Sequence, residues 1–280
     1  MNPATQIGFL GGGNMARAMI HGLLQQGLAG ANVRVGEPLA ASREALQRDF
    51  GVTATADNAA AVRGADLVVL AVKPQFAIGL LTELSPMLAQ GRTLLLSIAA
   101  GLRLADLARC CPRVPIARAM PNRAALVGMG AAALYAPASI DATQRALAEE
   151  VCAAASSIVW VQREDDLDIV TALSGSGPAY FFQLAEHMAA AAVAEGLDAD
   201  TAERLARQTL RGAGALAGGE TSLAAEREAV TSKGGTTAAA LAALNSGGFE
   251  RLVGAAVAAA RQRSAELSTQ FGSTSGASPR

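Results

Sequence analysis

Gly11, Gly13 and Ala16, within the string QIGFLGGGNMARA from Gln6 to Ala18, follow a short apolar run with the spacing GxGxxA. Glycine at position 11 permits a tight turn, and glycine at 13 lets the main chain approach a pyrophosphate. The small Ala16 allows the next helix to pack close to the strand before it. That helix begins at Asn14, so its unpaired N–H groups and partial positive charge face the anion. A second stretch, Thr231 to Thr237 (TSKGGTT), sets paired glycines before another helical pattern, with hydroxyls at Ser232, Thr236 and Thr237. It is an anion nest suited to a small carboxylate.

Three further positions fit around a dinucleotide. Glu37 stands at the end of the second strand, about twenty residues past the glycines, where a carboxylate accepts from a ribose 2′-OH and repels a 2′-phosphate. This favours NADH, but Ser42 and Arg43 open the next helix and can serve a phosphate, so the preference stays open. Lys73, with Pro74, emerges at the carboxyl end of an apolar strand, where open α/β sheets bind ligands. Ala99, Ala100 and Gly101 end another such strand and leave room for a flat ring.

The elements that must position these residues follow from periodicity. Ile7 to Leu10 predicts a first strand and Asn14 to Gln26 a helix; Asn32 to Gly36 and Val52 to Thr55 predict the next strands, and Asn58 caps a helix through Arg63. Leu67 to Val72 and Thr93 to Ile98 are continuous apolar runs, as expected of central parallel strands buried on both faces. Val114 to Met120, Met129 to Tyr135 and Ser157 to Val161 predict the last strands, with Pro121-Asn122 in a connection and a helix over Asp141 to Ala155. Beyond Gln162 the strand signal ends and Ala-rich helix runs from Asp165 to Leu267. The expected fold is α/β: a dinucleotide-binding domain over 1–163, then an all-helical domain over 164–280, with a disordered tail from about 269. Ser174-Gly175-Ser176-Gly177-Pro178 falls inside the helical pattern, where glycines and proline are costly, and suggests a close backbone contact between domains or subunits.

Composition excludes several classes. Basic and acidic residues nearly cancel, 23 against 24, so no nucleic-acid partner is expected. Cys110, Cys111 and Cys152 are odd in number and lack metal-site spacing, which argues against a disulfide framework or a metal and for a reducing compartment. His21 and His187 sit within helical patterns and read as structural. No basic leader precedes an apolar run and no span of about eighteen apolar residues occurs, so the expectation is a cytoplasmic protein without a membrane partner.

Six strings together resemble the pyrroline-5-carboxylate reductases: IGFLGGGNMA, AVKP (Ala71 to Pro74), SIAAG (Ser97 to Gly101), RAMPN (Arg118 to Asn122), SGSGPAY (Ser174 to Tyr180) and TSKGGTT. The resemblance implies a Rossmann-type N-terminal domain and a helical dimerisation domain. It implies reduction of 1-pyrroline-5-carboxylate, a cyclic imino acid, to L-proline by NADPH or NADH, the last step of proline biosynthesis. It implies a homodimer through the helical domain that often assembles further, with each substrate site completed by the partner subunit.

Carried over by position, the resemblance assigns Gly11, Gly12, Gly13, Asn14 and Met15 to the pyrophosphate and Glu37 to the adenosine ribose. Asn58, Ala71, Val72, Lys73 and Pro74 line the dinucleotide path, and Ala99, Ala100, Gly101 and Asn122 flank the nicotinamide. Ser232, Gly235 and the N–H groups of Thr236 and Thr237 hold the substrate carboxylate. The Thr237 hydroxyl faces the ring nitrogen as the catalytic group, and Asp165 approaches the ring. Two positions depart from the family pattern: Arg123-Ala124 stands where Thr-Pro is usual, and Lys233 where Pro is common. Two other readings share these residues: a reductase of another cyclic imine, and a non-catalytic nucleotide-binding oligomer.

Overall fold

The computed structural model of the chain describes residues 2–274. It divides into two compact units, one running to Gly175 and resuming at Ala260, the other comprising Ser176–Ala259.

The first unit is built on one eight-stranded sheet. Its strands are β1 (Ile7–Leu10), β2 (Val33–Gly36), β3 (Thr53–Thr55), β4 (Leu67–Leu70), β5 (Leu94–Ser97), β6 (Ile116–Pro121), β7 (Gly130–Tyr135) and β8 (Ser156–Trp160), in spatial order β3-β2-β1-β4-β5-β6-β7-β8. Every neighbouring pair is parallel except β6 and β7. The order reverses direction at β1, between β2 and β4, and the crevice at that switch point is where such sheets take ligands.

Adjacent residues of the central strands feed opposite faces, which is why their sequences are continuously apolar. Ile7, Phe9, Leu67, Val69, Leu94 and Leu96 pack on one side with Met19, Ile20 and Leu23 of α1 (Asn14–Gln25). Leu10, Val68, Leu70 and Leu95 pack on the other with Leu81 and Leu84 of α4 (Pro74–Leu88). Alternating burial on two faces fixes the register and with it the height at which each strand delivers its last residue. The remaining helices on the sheet are α2 (Ala40–Phe50), α3 (Asn58–Val62), α5 (Leu104–Cys110) and α6 (Ala142–Ala153), followed by α7 (Asp166–Val170).

Three expectations are corrected. The cap of α3 is Asp57, whose carboxylate accepts the N–H groups of Ala59 and Ala60, and Asn58 is the first helical residue. Pro178 is not a helix-interior proline. A wide π turn over Thr171–Gly175 ends the preceding segment, and α8 (Gly177–Ala194) starts afresh with Pro178 in its first turn, where the missing N–H costs little. The tail from about 269 is helical as far as it is described, because α12 (Phe249–Thr274) runs through it; residues 275–280 lie outside the described residues.

The second unit contains α8, α9 (Ala199–Ala217), α10 (Leu223–Ala229), α11 (Thr236–Ser246) and the beginning of α12. Among its described residues only Gly177, Ala189 and Ala202 are buried, whereas Phe181, Phe182, Met188, Leu205, Leu216 and Leu252 are exposed. Burying one large apolar side chain is worth about 1.5–3 kcal/mol. Three small buried residues therefore supply no core, and apolar faces of this extent mark a surface that another chain covers.

Candidate functional site

In the first unit the chain leaves β1 through a bend that only glycine can make. Gly11 has φ +98°, its N–H donates to Gly36 O at 2.8 Å, and a Cβ there would lie 3.0 Å from Ala71 O. A Cβ on Gly12 would lie 2.6 Å from Leu46 Cδ1. Gly13 caps α1 without a side chain, no acidic residue sits in the first turn, and nothing lies within 4 Å of where its Cβ would be. The first-turn N–H groups of a helix have no intrahelical acceptors. Gly13 and Asn14 are exposed, Met15 is half-buried and Ala16 is buried against the sheet. This open cradle of main-chain donors fits a dinucleotide pyrophosphate.

Glu37 follows β2 and is fixed by main chain: Oε2 accepts the Gly12 N–H at 3.0 Å and Oε1 the Leu39 N–H at 3.0 Å. Arg43 turns to carbonyls, donating from Nη1 to Glu37 O at 2.9 Å and Pro38 O at 2.7 Å. Arg17, which the sequence patterns do not single out, binds Gly12 O from Nε at 3.2 Å and Ser42 O from Nη2 at 3.3 Å, tying α2 to the bend. Asn58 sits so close to Gly36 that a Cβ there would collide with its Oδ1.

At the carboxyl ends of the neighbouring strands, Ala71 donates its N–H to Leu10 O at 2.9 Å, Val72 is half-buried, and exposed Lys73 caps α4 with Pro74 as its first residue. Ala99 is buried, Ala100 exposed and Gly101 half-buried. Buried Asn122 is engaged on both ends of its amide. Oδ1 accepts the N–H groups of Ala124 at 3.2 Å and Ala131 at 3.1 Å, and Nδ2 donates to Ser174 O at 3.0 Å. Arg123 is exposed and opens a 3-10 turn, Arg123–Val127.

Asp165 lies just before α7, mostly exposed, paired with Arg103 and with Arg163 at 3.6 Å. The hydrogen bond and charge of Arg103 hold its carboxyl below the usual carboxylate range. Around it is an ionic cluster that sequence reading missed: Arg103 Nη2 to Asp168 Oδ2 at 2.7 Å, Arg118 Nη1 to Glu164 Oε1 at 2.7 Å, and Ser264 Oγ donating to Asp168 Oδ1 at 2.7 Å. Arg118, Asp168 and Ser264 are all buried, so each charge depends on its partner.

The TSKGGTT turn belongs to the second unit. Thr231 Oγ1 donates to Arg227 O at 2.6 Å, and the Gly235 N–H donates to Ser232 O at 3.0 Å, which folds the turn back on itself. Gly235 caps α11 with no side-chain hydrogen bond, so Thr236 and Thr237 are its first two residues. Ser232 Oγ lies 2.5 Å from where a Cβ on Gly235 would stand, so a side chain there would push the Ser232 hydroxyl aside. Ser232, Lys233 and Thr236 are exposed, and Gly235 and Thr237 half-buried. Each unit thus presents a helix start whose donors are offered outward.

His21 lies on α1 and His187 on α8, both exposed. Among the described residues no group of three or more His, Cys, Asp and Glu is placed to hold a metal, and no helix is long and apolar enough to cross a membrane.

Two family models match successive parts of the chain. Residues 6–101 match the family "NADP oxidoreductase coenzyme F420-dependent", and residues 164–267 match "Pyrroline-5-carboxylate reductase dimerisation". A curated pyrroline-5-carboxylate reductase from Pseudomonas aeruginosa is 43% identical over 270 residues, covering 95% of this chain and 98% of that protein. A solved pyrroline-5-carboxylate reductase from Coxiella burnetii is similar at 38% identity with a TM-score of 0.91, covering 95% of this chain and 99% of that one. A Plasmodium falciparum pyrroline carboxylate reductase, solved with NADP bound, is similar at 28% identity with a TM-score of 0.79 over 94% of this chain and 98% of that one.

Proposed function

The chain belongs to the pyrroline-5-carboxylate reductase family, and from that premise we propose how its residues divide the work of reducing 1-pyrroline-5-carboxylate to L-proline. The enzyme is an NAD(P)H-dependent oxidoreductase of proline biosynthesis acting as a homo-oligomer on a small molecule. A reduced nicotinamide dinucleotide, when bound, supplies the hydride.

The observation that carries the division of labour is the pair of helix starts capped by glycine, α1 at Gly13 and α11 at Gly235. Gly11 to Met15 receive the pyrophosphate and Glu37 the adenosine ribose, with Asn58 and Ala71 to Pro74 along the path and Ala99 to Gly101 and Asn122 beside the nicotinamide. Ser232, Gly235, Thr236 and Thr237 take the substrate carboxylate on main-chain N–H groups and hydroxyls.

A protonated imine carbon is already electrophilic, so the residues need only hold, orient and desolvate it. Pre-organised geometry of this kind is worth up to roughly 7–11 kcal/mol. Hydride adds to the carbon of the C=N bond, its π pair moves to nitrogen, and the nitrogen keeps its proton in the secondary amine product. The Thr237 hydroxyl orients that nitrogen. Asp165, kept ionised by Arg103, acts near the ring as a hydrogen-bond acceptor and not as a proton donor.

The apolar faces of the second unit support a homodimer through the helical domain, with dimers assembling further, and the balanced charge supports no nucleic-acid partner. Three free thiols, two of them buried, support a cytoplasmic location. The test is direct: purified protein with NADH or NADPH and pyrroline-5-carboxylate, followed at the nicotinamide absorbance. Oxidation with at least one cofactor is expected. No oxidation with either, despite dinucleotide binding, would replace the enzyme by a nucleotide-holding oligomer.

A further inference from the structure

The Ala99-Ala100-Gly101 loop carries no side chain larger than a methyl group, and only that of Ala99 is buried in the core. It leaves β5, turns at Gly101 with φ +79°, and re-enters the core at buried Leu102 before Arg103 caps α5. Something else must set its position, and two contacts from the far end of the chain converge there. A Cβ on Gly101 would lie 2.8 Å from Phe271 Cδ2, 3.1 Å from Phe271 Cε2 and 3.7 Å from the carbonyl carbon of Leu267. Phe271 packs against the core cluster that contains Ala99 and Leu102. On the other side of Gly101, Arg103 Nη2 meets Asp168 Oδ2 at 2.7 Å, and Ser264 Oγ donates to Asp168 Oδ1 at 2.7 Å. The Leu104 N–H is held by Glu164 Oε1 at 2.6 Å.

Ser264 and Phe271 are seven residues apart on α12, which is two helical turns and therefore one face. Between them Ser268 is buried and donates to Ser264 O at 3.1 Å. Small serines at 264 and 268 let the helix approach closely, and the aromatic ring at 271 fills the space against a residue that has no side chain of its own. These are residues of the first unit.

We propose that the last three turns of α12 position the Ala99–Gly101 loop for the reaction, with Phe271 bracing Gly101 directly and Ser264 fixing Arg103 through Asp168. Phe271 and Ser264 are positioning residues. The proposal rests on the reading that this loop flanks the nicotinamide.

The experiment uses the full chain and its variants Phe271→Ala, Phe271→Leu and Ser264→Ala. It measures kcat, KM, affinity for NADH and for ADP-ribose, melting temperature, and hydrogen exchange of the peptide spanning residues 98–103. The results expected are as follows: in the wild-type protein NADH slows exchange in that peptide and ADP-ribose does not. Phe271→Ala speeds its exchange and lowers kcat on the order of ten- to a hundredfold, the scale of a misplaced reacting group. It leaves ADP-ribose affinity unchanged, and Phe271→Leu recovers most of the loss. Ser264→Ala gives a smaller change of the same pattern.

Wild-type kcat and unchanged exchange in Phe271→Ala, alongside NADH-specific protection in the wild-type protein, overturn the proposal alone. Equal weakening of NADH and ADP-ribose with a lowered melting temperature also overturns it, reducing Phe271 to packing. Absence of NADH-specific protection in the wild-type protein overturns the assignment of the loop and the proposal with it.

Discussion

Glu37 Oε2 accepts the main-chain N–H of Gly12 at 3.0 Å, joining the end of β2 to the bend after β1. With Oε1 bound to the Leu39 N–H, the carboxylate is fixed by main chain just past the end of β2, the position that the proposed reading gives to the adenosine ribose. The cation that could offset it for a 2′-phosphate, Arg43, is turned to the carbonyls of Glu37 and Pro38. If the ribose is received there, as proposed, a fixed negative charge beside a diverted guanidinium disfavours a 2′-phosphate.

Glu37→Ser is therefore expected to raise kcat/KM for NADPH relative to NADH by about tenfold or more, since each tenfold corresponds to about 1.4 kcal/mol and removal of one like charge readily supplies that. Steady-state kinetics with both cofactors check it. An unchanged ratio would show that the carboxylate faces away from the ribose.

Thr237→Ala removes a hydroxyl from the second residue of α11 while leaving the N–H groups of the turn in place. The expected loss in kcat/KM for the protonated imine corresponds to one hydrogen bond to a charged group, about 1.5–3 kcal/mol, with no change in dinucleotide affinity. Kinetics at wild-type level in this variant would remove Thr237 from the site.

The parts of the fold that were legible are those with local causes. The bend at Gly11 is written in three consecutive glycines, and the strands at Leu67–Leu70 and Leu94–Ser97 in unbroken apolar runs that two buried faces require. The cap read at Asn58 lies at Asp57 because both side chain types can cap and one residue of phase separates them. Pro178 misled because the π turn before it resets the helix, which periodicity alone does not reveal. The link from Ser264 to Asp168 spans 96 residues and joins two positions that carry no local signal. Residues 269–274 differ from the expected tail for a related reason: their composition is polar, but Phe271 has a core to reach and the helix continues.

Asn122 is buried and satisfies three main-chain groups at once, the N–H groups of Ala124 and Ala131 and the carbonyl of Ser174. Asn122→Ala strands them and should cost at least about 1–3 kcal/mol of stability. Asn122→Asp keeps the two acceptor contacts but buries a carboxylate whose second oxygen faces the Ser174 carbonyl, so its cost at neutral pH should be larger still. Denaturant midpoints of the two variants test the ranking, and equal midpoints would contradict it.

The Arg103–Asp165 pair gives stability a pH dependence whose sign follows from the direction of the Asp165 shift. Its hydrogen bond to Arg103, the charge of Arg103 and a lesser effect of Arg163 lower the carboxyl in the folded chain below its ordinary value of about 3.9. A lowered folded value means that the ionised form is favoured by folding, so the contribution is fully present above about pH 4 and disappears as pH falls through the folded value. Because the Asp165 side chain is 62% exposed, solvent and salt screen the pair. Asp165→Asn should then lower the melting temperature by at most a few degrees near neutral pH, and less at high salt. The gap between variant and wild-type curves should close on acidification below about pH 4. Melting curves from pH 7 downward at low and high salt measure this, and a gap that stays constant through the acid range would show that Asp165 contributes nothing through its charge.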